Sequence, residues 1–69
     1  MLEQIGNEAG EIWRTLHEKG ELKTSQIPKL ANTDKEMVML GLGWLAREGK
    51  IICRRQGKDT FVSLTQNEK

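Results

Sequence analysis

The 69-residue sequence predicts an α+β domain in which three helices pack against a small antiparallel sheet. Two observations lead to this prediction. Apolar residues recur at helical spacing, most clearly at Val38, Leu42 and Leu45, and this spacing stops at Gly49. After Gly49 the pattern changes to two β-prone runs on either side of a polar turn, which predicts a hairpin over residues 50–64.

Length and composition indicate one small globular domain. Hydrophobic residues make up 36% of the chain and charged residues 30%, which is a typical globular composition. We expect the domain to cover residues 1–65 and to be followed by a polar, disordered tail over residues 66–69. Neither a signal peptide nor an apolar run of about 18 residues is visible, so we expect a cytoplasmic protein without a membrane partner.

The first predicted helix covers residues 2–19 and ends at Gly20. Its apolar face consists of Ile5, Ala9, Ile12, Trp13 and Leu16. His17 is the only histidine, and no second histidine or pairing cysteine could complete a metal site with it. We therefore expect His17 to lie at the surface or to help cap the helix.

A short strand and a short helix are predicted to follow. Residues 21–23 come directly after a helix breaker and are too few for a helix, so we expect a small strand with Leu22 pointing inward. The next helix is predicted over residues 26–31, with Ile27 and Leu30 facing the core.

The third helix is predicted to begin near Asp34 and to run to Glu48. Thr33 followed by Glu36 matches the capping-box pattern, which predicts that the Thr33 side chain caps this helix. Because only a tight turn separates it from the preceding helix, the two helices are expected to form a helix-turn-helix unit.

The predicted hairpin contains the only cysteine. One strand begins with Ile51, Ile52 and Cys53, the other covers residues 60–64, and residues 56–59 have the composition of a turn. The β-prone neighbours of Cys53 favour a buried structural thiol over a redox-active one.

The order of elements resembles that of the winged helix-turn-helix superfamily. The segments Ile5–Trp13 and Leu42–Ile51 are similar to a small stand-alone winged-helix family of bacteria and archaea that is classed as a domain of unknown function. The resemblance covers about residues 3–64. It implies a winged-helix fold and a DNA-binding or regulatory role, and it supplies no functional residues to transfer.

The sequence offers no set of residues for catalysis. One histidine and one cysteine cannot make a nucleophilic triad or a metal site. Gly41 and Gly43 lie inside a predicted helix instead of following a strand, so they do not form a phosphate-binding loop. We expect no enzymatic activity, no cofactor, no metal and no small-molecule substrate.

Charge is distributed in the direction expected of a DNA-binding protein. Residues 1–20 carry two basic and four acidic side chains, whereas residues 21–69 carry nine basic and six acidic ones, giving the net charge of +1. The third helix would lie near the major groove and cations of the hairpin would contact phosphates. The candidate DNA-binding residues are Thr33, Lys35, Arg47, Lys50, Arg54, Arg55 and Lys58. In the alternative interpretation the hairpin charges only keep an edge strand soluble.

The outward face of the third helix favours a second hypothesis. It has few of the side chains that read bases, and Met39, Leu40 and Gly43 give it an apolar surface suited to a protein partner. Trp44 either adds to this surface or packs on the first helix beside Trp13. The alternative function is therefore a protein-interaction module on the same scaffold, in which the third helix or the first helix pairs with another chain. We expect the protein to be a homodimer.

Overall fold

The computed structural model describes residues 2–68 and has three helices and a three-stranded antiparallel sheet. The helices are α1 (Leu2–Lys19), α2 (Ile27–Leu30) and α3 (Lys35–Arg47), and the strands are β1 (Leu22–Lys23), β2 (Ile51–Gln56) and β3 (Asp59–Leu64). One-turn 3-10 segments cover Thr24–Gln26 and Gln66–Glu68. This order confirms the predicted α+β architecture.

The helix α3 forms the centre of the core. Val38, Leu42 and Leu45 are all buried, as their spacing predicts. The helix ends at Arg47, and Gly49 follows with φ of +71°, a left-handed conformation that glycine adopts without a steric penalty. The predicted position of this helix and its glycine stop are therefore correct.

A glycine allows α1 and α3 to pack closely. A Cβ atom at Gly41 would lie 2.7 Å from Cδ1 of Ile12 and 3.4 Å from the backbone nitrogen of Ala9. Both of these α1 residues are buried. A side chain at position 41 would therefore require the buried end of the Ile12 side chain to shift.

The sheet has the order β1-β3-β2, so β2 is an edge strand. Ile51 pairs with Leu64 and is buried, but it is the only buried residue of β2. Cys53 pairs with the buried Val62 and is itself exposed, so the predicted burial of its thiol is wrong. The physical reason is that β2 extends past the edge of the core after its first residue.

The hairpin turn is tighter than predicted. Only Gly57 and Lys58 separate the two strands. Gly57 has φ of +62°, which is the pattern of a two-residue turn with glycine at its first position. This hairpin, residues 51–64, is the wing of the fold.

The N-cap of α3 is Asp34 instead of Thr33. The backbone at Asp34 is extended, with φ −93° and ψ 167°, and its Oδ1 accepts a 2.8 Å hydrogen bond from the backbone N–H of Met37. The predicted capping box of Thr33 and Glu36 is therefore wrong. The Asp side chain accepts a hydrogen bond from a free N–H of the first turn, and its negative charge is stabilised by the positive end of the helix dipole.

The helix α2 is a single turn, and only one of its two predicted core residues is buried. Ile27 is fully buried, whereas Leu30 is 43% exposed, so the predicted inward position of Leu30 is wrong. Of the predicted helix only Gln26 lies in the 3-10 segment, and Leu30 is the last residue of the single turn of α2, next to the connection that leads away to α3.

The end of the chain is ordered against α1. The indole Nε1 of Trp13 donates a 2.8 Å hydrogen bond to Oε1 of Glu68. On the other side, the ring of the exposed His17 stacks on Trp13 with 4.9 Å between centroids. The expected disorder is therefore wrong for residues 66–68, while Lys69 lies outside the described residues.

Candidate nucleic-acid interface

The buried residues Val38, Leu42 and Leu45 form the buried seam of α3. The position of this seam determines which other side chains of the helix reach solvent. With Val38 and Leu42 against the core, Lys35 and Arg47 are exposed at opposite ends of the helix. Thr33 precedes the cap and is half-buried. The structure therefore places Arg47 on the outward side of α3. Lys35, seven residues before the buried Leu42, is exposed at the N-terminal end of the helix on the side that faces Ser25 and Pro28.

The wing presents its two arginines on opposite faces of the sheet. Successive side chains of a strand alternate, and the buried Ile51 defines the face that packs on the helices. Arg55 lies on this helix-packed side, opposite Thr60, beyond the edge of the core. Arg54 lies on the other, outer side, opposite Phe61.

Contacts within the chain hold Arg54 in place. Its guanidinium carbon lies 4.6 Å from the centroid of the Phe61 ring. Its Nη2 donates to Oε1 of Glu21 at 3.1 Å, and its Nη1 donates to Oε1 of Gln56 at 2.8 Å. The Glu21 carboxylate therefore neutralises part of the charge that Arg54 would offer to a phosphate.

A second cation on the outer side is held in a similar way. Lys23 Nζ lies 3.6 Å from Oδ2 of Asp59 and 5.9 Å from the centroid of Phe61. Phe61 therefore has cations near its ring from both neighbouring strands. Sequence reasoning did not find this cluster because it depends on strand register, although the alternation of Glu21 and Lys23 in a short strand was a usable signal.

The remaining cations differ in whether a carboxylate neutralises them. Lys50 Nζ lies 3.6 Å from Oε1 of Glu48. Within residues 2–68, no carboxylate lies at ion-pair distance from four of the predicted DNA-binding cations. These four are Lys35, Arg47, Arg55 and Lys58, two on α3 and two on the wing.

The predicted interface residues are exposed on α3. Met39 is 46% exposed, Leu40 is 38% exposed, and a Cβ atom built on Gly43 would meet no atom within 4 Å. Trp44 is 37% exposed, and its ring packs against Gly6 of α1, where an added Cβ would lie 3.7 Å from it. Trp44 thus rests on the first helix and still contributes apolar surface.

Among residues 2–68, no group of three or more histidine, cysteine, aspartate or glutamate side chains is arranged to hold a metal ion. None of the helices in this range is long and apolar enough to span a membrane.

Comparison with known proteins agrees with this architecture. Residues 1–64 match the family described as winged helix-turn-helix domain (DUF2582). The chain is 38% identical over 64 residues to uncharacterized protein MJ1608 of Methanocaldococcus jannaschii, which covers 88% of this chain and 90% of that protein. It is also similar to the solution NMR structure of protein BT2368 from Bacteroides thetaiotaomicron. The TM-score is 0.86 at 26% identity, over 94% of this chain and 79% of that one.

The family match and the fold confirm the resemblance found in the sequence. This chain belongs to the DUF2582 family of winged helix-turn-helix domains.

Proposed function

We propose that this protein is a cytoplasmic transcription regulator that binds double-stranded DNA. In this proposal the wing contacts phosphates and α3 lies near the major groove, and the protein that is free of DNA is a homodimer. The observation that best supports it is the position of Arg55. This arginine is exposed, has no carboxylate partner among residues 2–68, and projects to the side of the sheet on which α3 lies.

The predicted DNA-binding residues are expected to contribute unequally to the affinity for DNA. Arg55 and Lys58 on the wing, with Lys35 and Arg47 on α3, carry charge that no described carboxylate offsets. We therefore assign the main phosphate contacts to these four residues. We also retain Thr33, beside the N-cap of α3, as a proposed phosphate contact through its hydroxyl.

Two other predicted DNA-binding residues are expected to contribute less to the affinity for DNA. Lys50 is paired with Glu48, and Arg54 is paired with Glu21 on the outer side of the sheet. Each would have to exchange an ion pair within the chain for a phosphate, which reduces the gain on binding. This difference provides a matched pair of adjacent arginines for an experiment.

The test is a salt titration of binding to a fluorescently labelled mixed-sequence duplex, followed by anisotropy. We expect affinity to fall steeply with salt, because binding to phosphates releases counterions. Arg55→Ala should weaken binding and reduce the slope of log K against log salt by about 0.9. Arg54→Ala is the control and should leave the slope nearly unchanged. No measurable binding at low salt would contradict the proposal.

The second candidate function is a protein-interaction module on the same scaffold. The exposed apolar surface of α3, at Met39, Leu40 and Gly43, favours it, because contiguous exposed apolar residues often mark protein interfaces. Sedimentation of the free protein tests it: a dimer that dissociates on Leu40→Glu, together with an absence of DNA binding, would favour this function over the first.

A further inference from the structure

A straight row of four exposed residues runs along the outward face of α3. Glu36, Leu40, Gly43 and Arg47 follow one another at spacings of four, three and four residues, and all four are exposed. This spacing places them on one narrow stripe, because it is the spacing of the contact positions in paired helices. The stripe is about 16 Å long and lies opposite the buried seam.

This row is complementary to itself when it is reversed. In an antiparallel pair related by a two-fold axis, the position midway between Leu40 and Gly43 lies on the axis. Leu40 of one copy then faces Gly43 of the other, and Glu36 of one copy faces Arg47 of the other. Both contacts occur twice, once on each side of the axis.

Each of the two contacts is favourable for a separate physical reason, the first through packing and the second through charge. Gly43 has open space around its Cβ position, so it can receive the Leu40 side chain and let the helices approach closely. Glu36 and Arg47 have opposite charges, and neither is ion-paired among the described residues. The half-exposed Met39 lies beside the row and extends its apolar area.

We propose that two copies of this chain pair antiparallel through α3, with Leu40 against Gly43 and Glu36 against Arg47. This pairing rests on the homodimer proposed above and assigns the surface through which its two copies pair when no DNA is bound. Because the same face would enter the major groove, pairing and groove contact exclude one another. The α3 pair is therefore the form of the protein that is not bound to DNA.

The experiment is analytical ultracentrifugation of the full 69-residue chain without DNA, over a concentration series. The wild type should sediment as a dimer. Glu36→Arg and Arg47→Glu each place like charges opposite one another, so each should raise the dimer Kd by about tenfold or more. The double variant restores opposite charges and should recover the dimer.

Two further variants separate pairing from folding. Gly43→Leu fills the space that receives Leu40, so it should dissociate the dimer while leaving circular dichroism and Tm of the monomer unchanged or improved. Glu18→Arg reverses an exposed charge on α1, away from the row, and should leave the mass unchanged.

Each contrary outcome has a separate meaning. A monomeric wild type would overturn the pairing and the homodimer, whereas DNA binding would still be decided by the salt titration. A dimer that survives both single charge reversals would overturn the α3 assignment alone. Dissociation of the double variant would also overturn it, because Glu36 and Arg47 would then not face one another.

Discussion

The guanidinium of Arg54 stacks over the ring of Phe61, and this contact distinguishes Arg54 from its neighbour in sequence. Arg54 belongs to the outer side of the sheet, where Glu21 holds it by an ion pair, whereas Arg55 projects freely on the opposite side. Two adjacent arginines in one strand therefore have different physical roles. One stabilises the sheet, and the other is available to a partner.

Removal of the stack should cost stability. Arg54→Ala should lower the free energy of unfolding by about 1 kcal/mol, since it removes an exposed cation–π contact and an exposed ion pair. Arg54→Lys should recover only part of this, because lysine lacks the planar group that lies on the ring. Urea unfolding measures both, with Arg55→Ala as the control. Equal stability of the three variants would contradict the assignment.

The close packing at Gly41 predicts an unusual effect of alanine. Alanine normally stabilises a helix by about 1 kcal/mol relative to glycine. At Gly41 the added methyl would meet the buried Ile12, and overpacking of this kind costs about 1–3 kcal/mol. Gly41→Ala should therefore be less stable than the wild type.

Gly10→Ala provides the matched control, because a Cβ there meets nothing within 4 Å. It should be more stable than the wild type, so thermal unfolding should separate the two variants in opposite directions. If both variants are stabilised, the Ile12 side chain makes room for the added methyl at position 41 without overpacking the core.

The N-cap assignment can be checked with two neighbouring substitutions. Asp34→Ala should destabilise the protein by about 1 kcal/mol, because the N–H of Met37 loses its acceptor. Thr33→Ala should cost clearly less, since the Thr33 side chain does not cap the helix. Chemical denaturation compares them, and a larger loss for Thr33→Ala would reverse the assignment.

The link between the chain end and α1 has a local spectroscopic signature. Glu68→Ala removes the acceptor of the Trp13 indole N–H and should cost about 1 kcal/mol. In proton–nitrogen NMR spectra the indole signal of Trp13 should shift strongly. The indole of Trp44 lines the same cavity but does not bond to Glu68, so its signal should shift much less. Equal shifts of both indole signals would indicate a general rearrangement.

If α3 pairs with itself in the absence of DNA, the two charge reversals should act in opposite directions on DNA affinity. Both Glu36→Arg and Arg47→Glu would free the α3 face, but the first adds positive charge to it and the second removes it. We expect Glu36→Arg to tighten duplex binding by about 1 kcal/mol, roughly fivefold, and Arg47→Glu to weaken it by at least as much. Anisotropy titrations at one salt concentration measure both.

The parts of the fold that depend on local periodicity could be predicted from the sequence. The seam of Val38, Leu42 and Leu45 and the stops at Gly20 and Gly49 follow from helical spacing and from the conformational freedom of glycine. Both glycines have positive φ, as a helix end of this type requires.

The features that were missed depend on tertiary position. Strand alternation shows that Cys53 shares a face with Ile51, but it does not show where along the strand the core ends. The contact between Arg54 and Glu21 joins residues 33 positions apart, so it needs the sheet register. Thr33 and Asp34 are both good cap residues, and only the backbone conformation selects between them.

The exposed thiol on the edge strand gives this protein a built-in attachment point. Cys53 is the only cysteine in the sequence, so a maleimide dye or a nitroxide attaches at one position without any engineering. In an assembly paired through α3, the two labels would lie away from the contact between the copies. In an assembly joined edge to edge along β2, they would lie at the contact and close to one another. Pulsed electron resonance distances on the otherwise unaltered chain therefore distinguish these two modes of assembly.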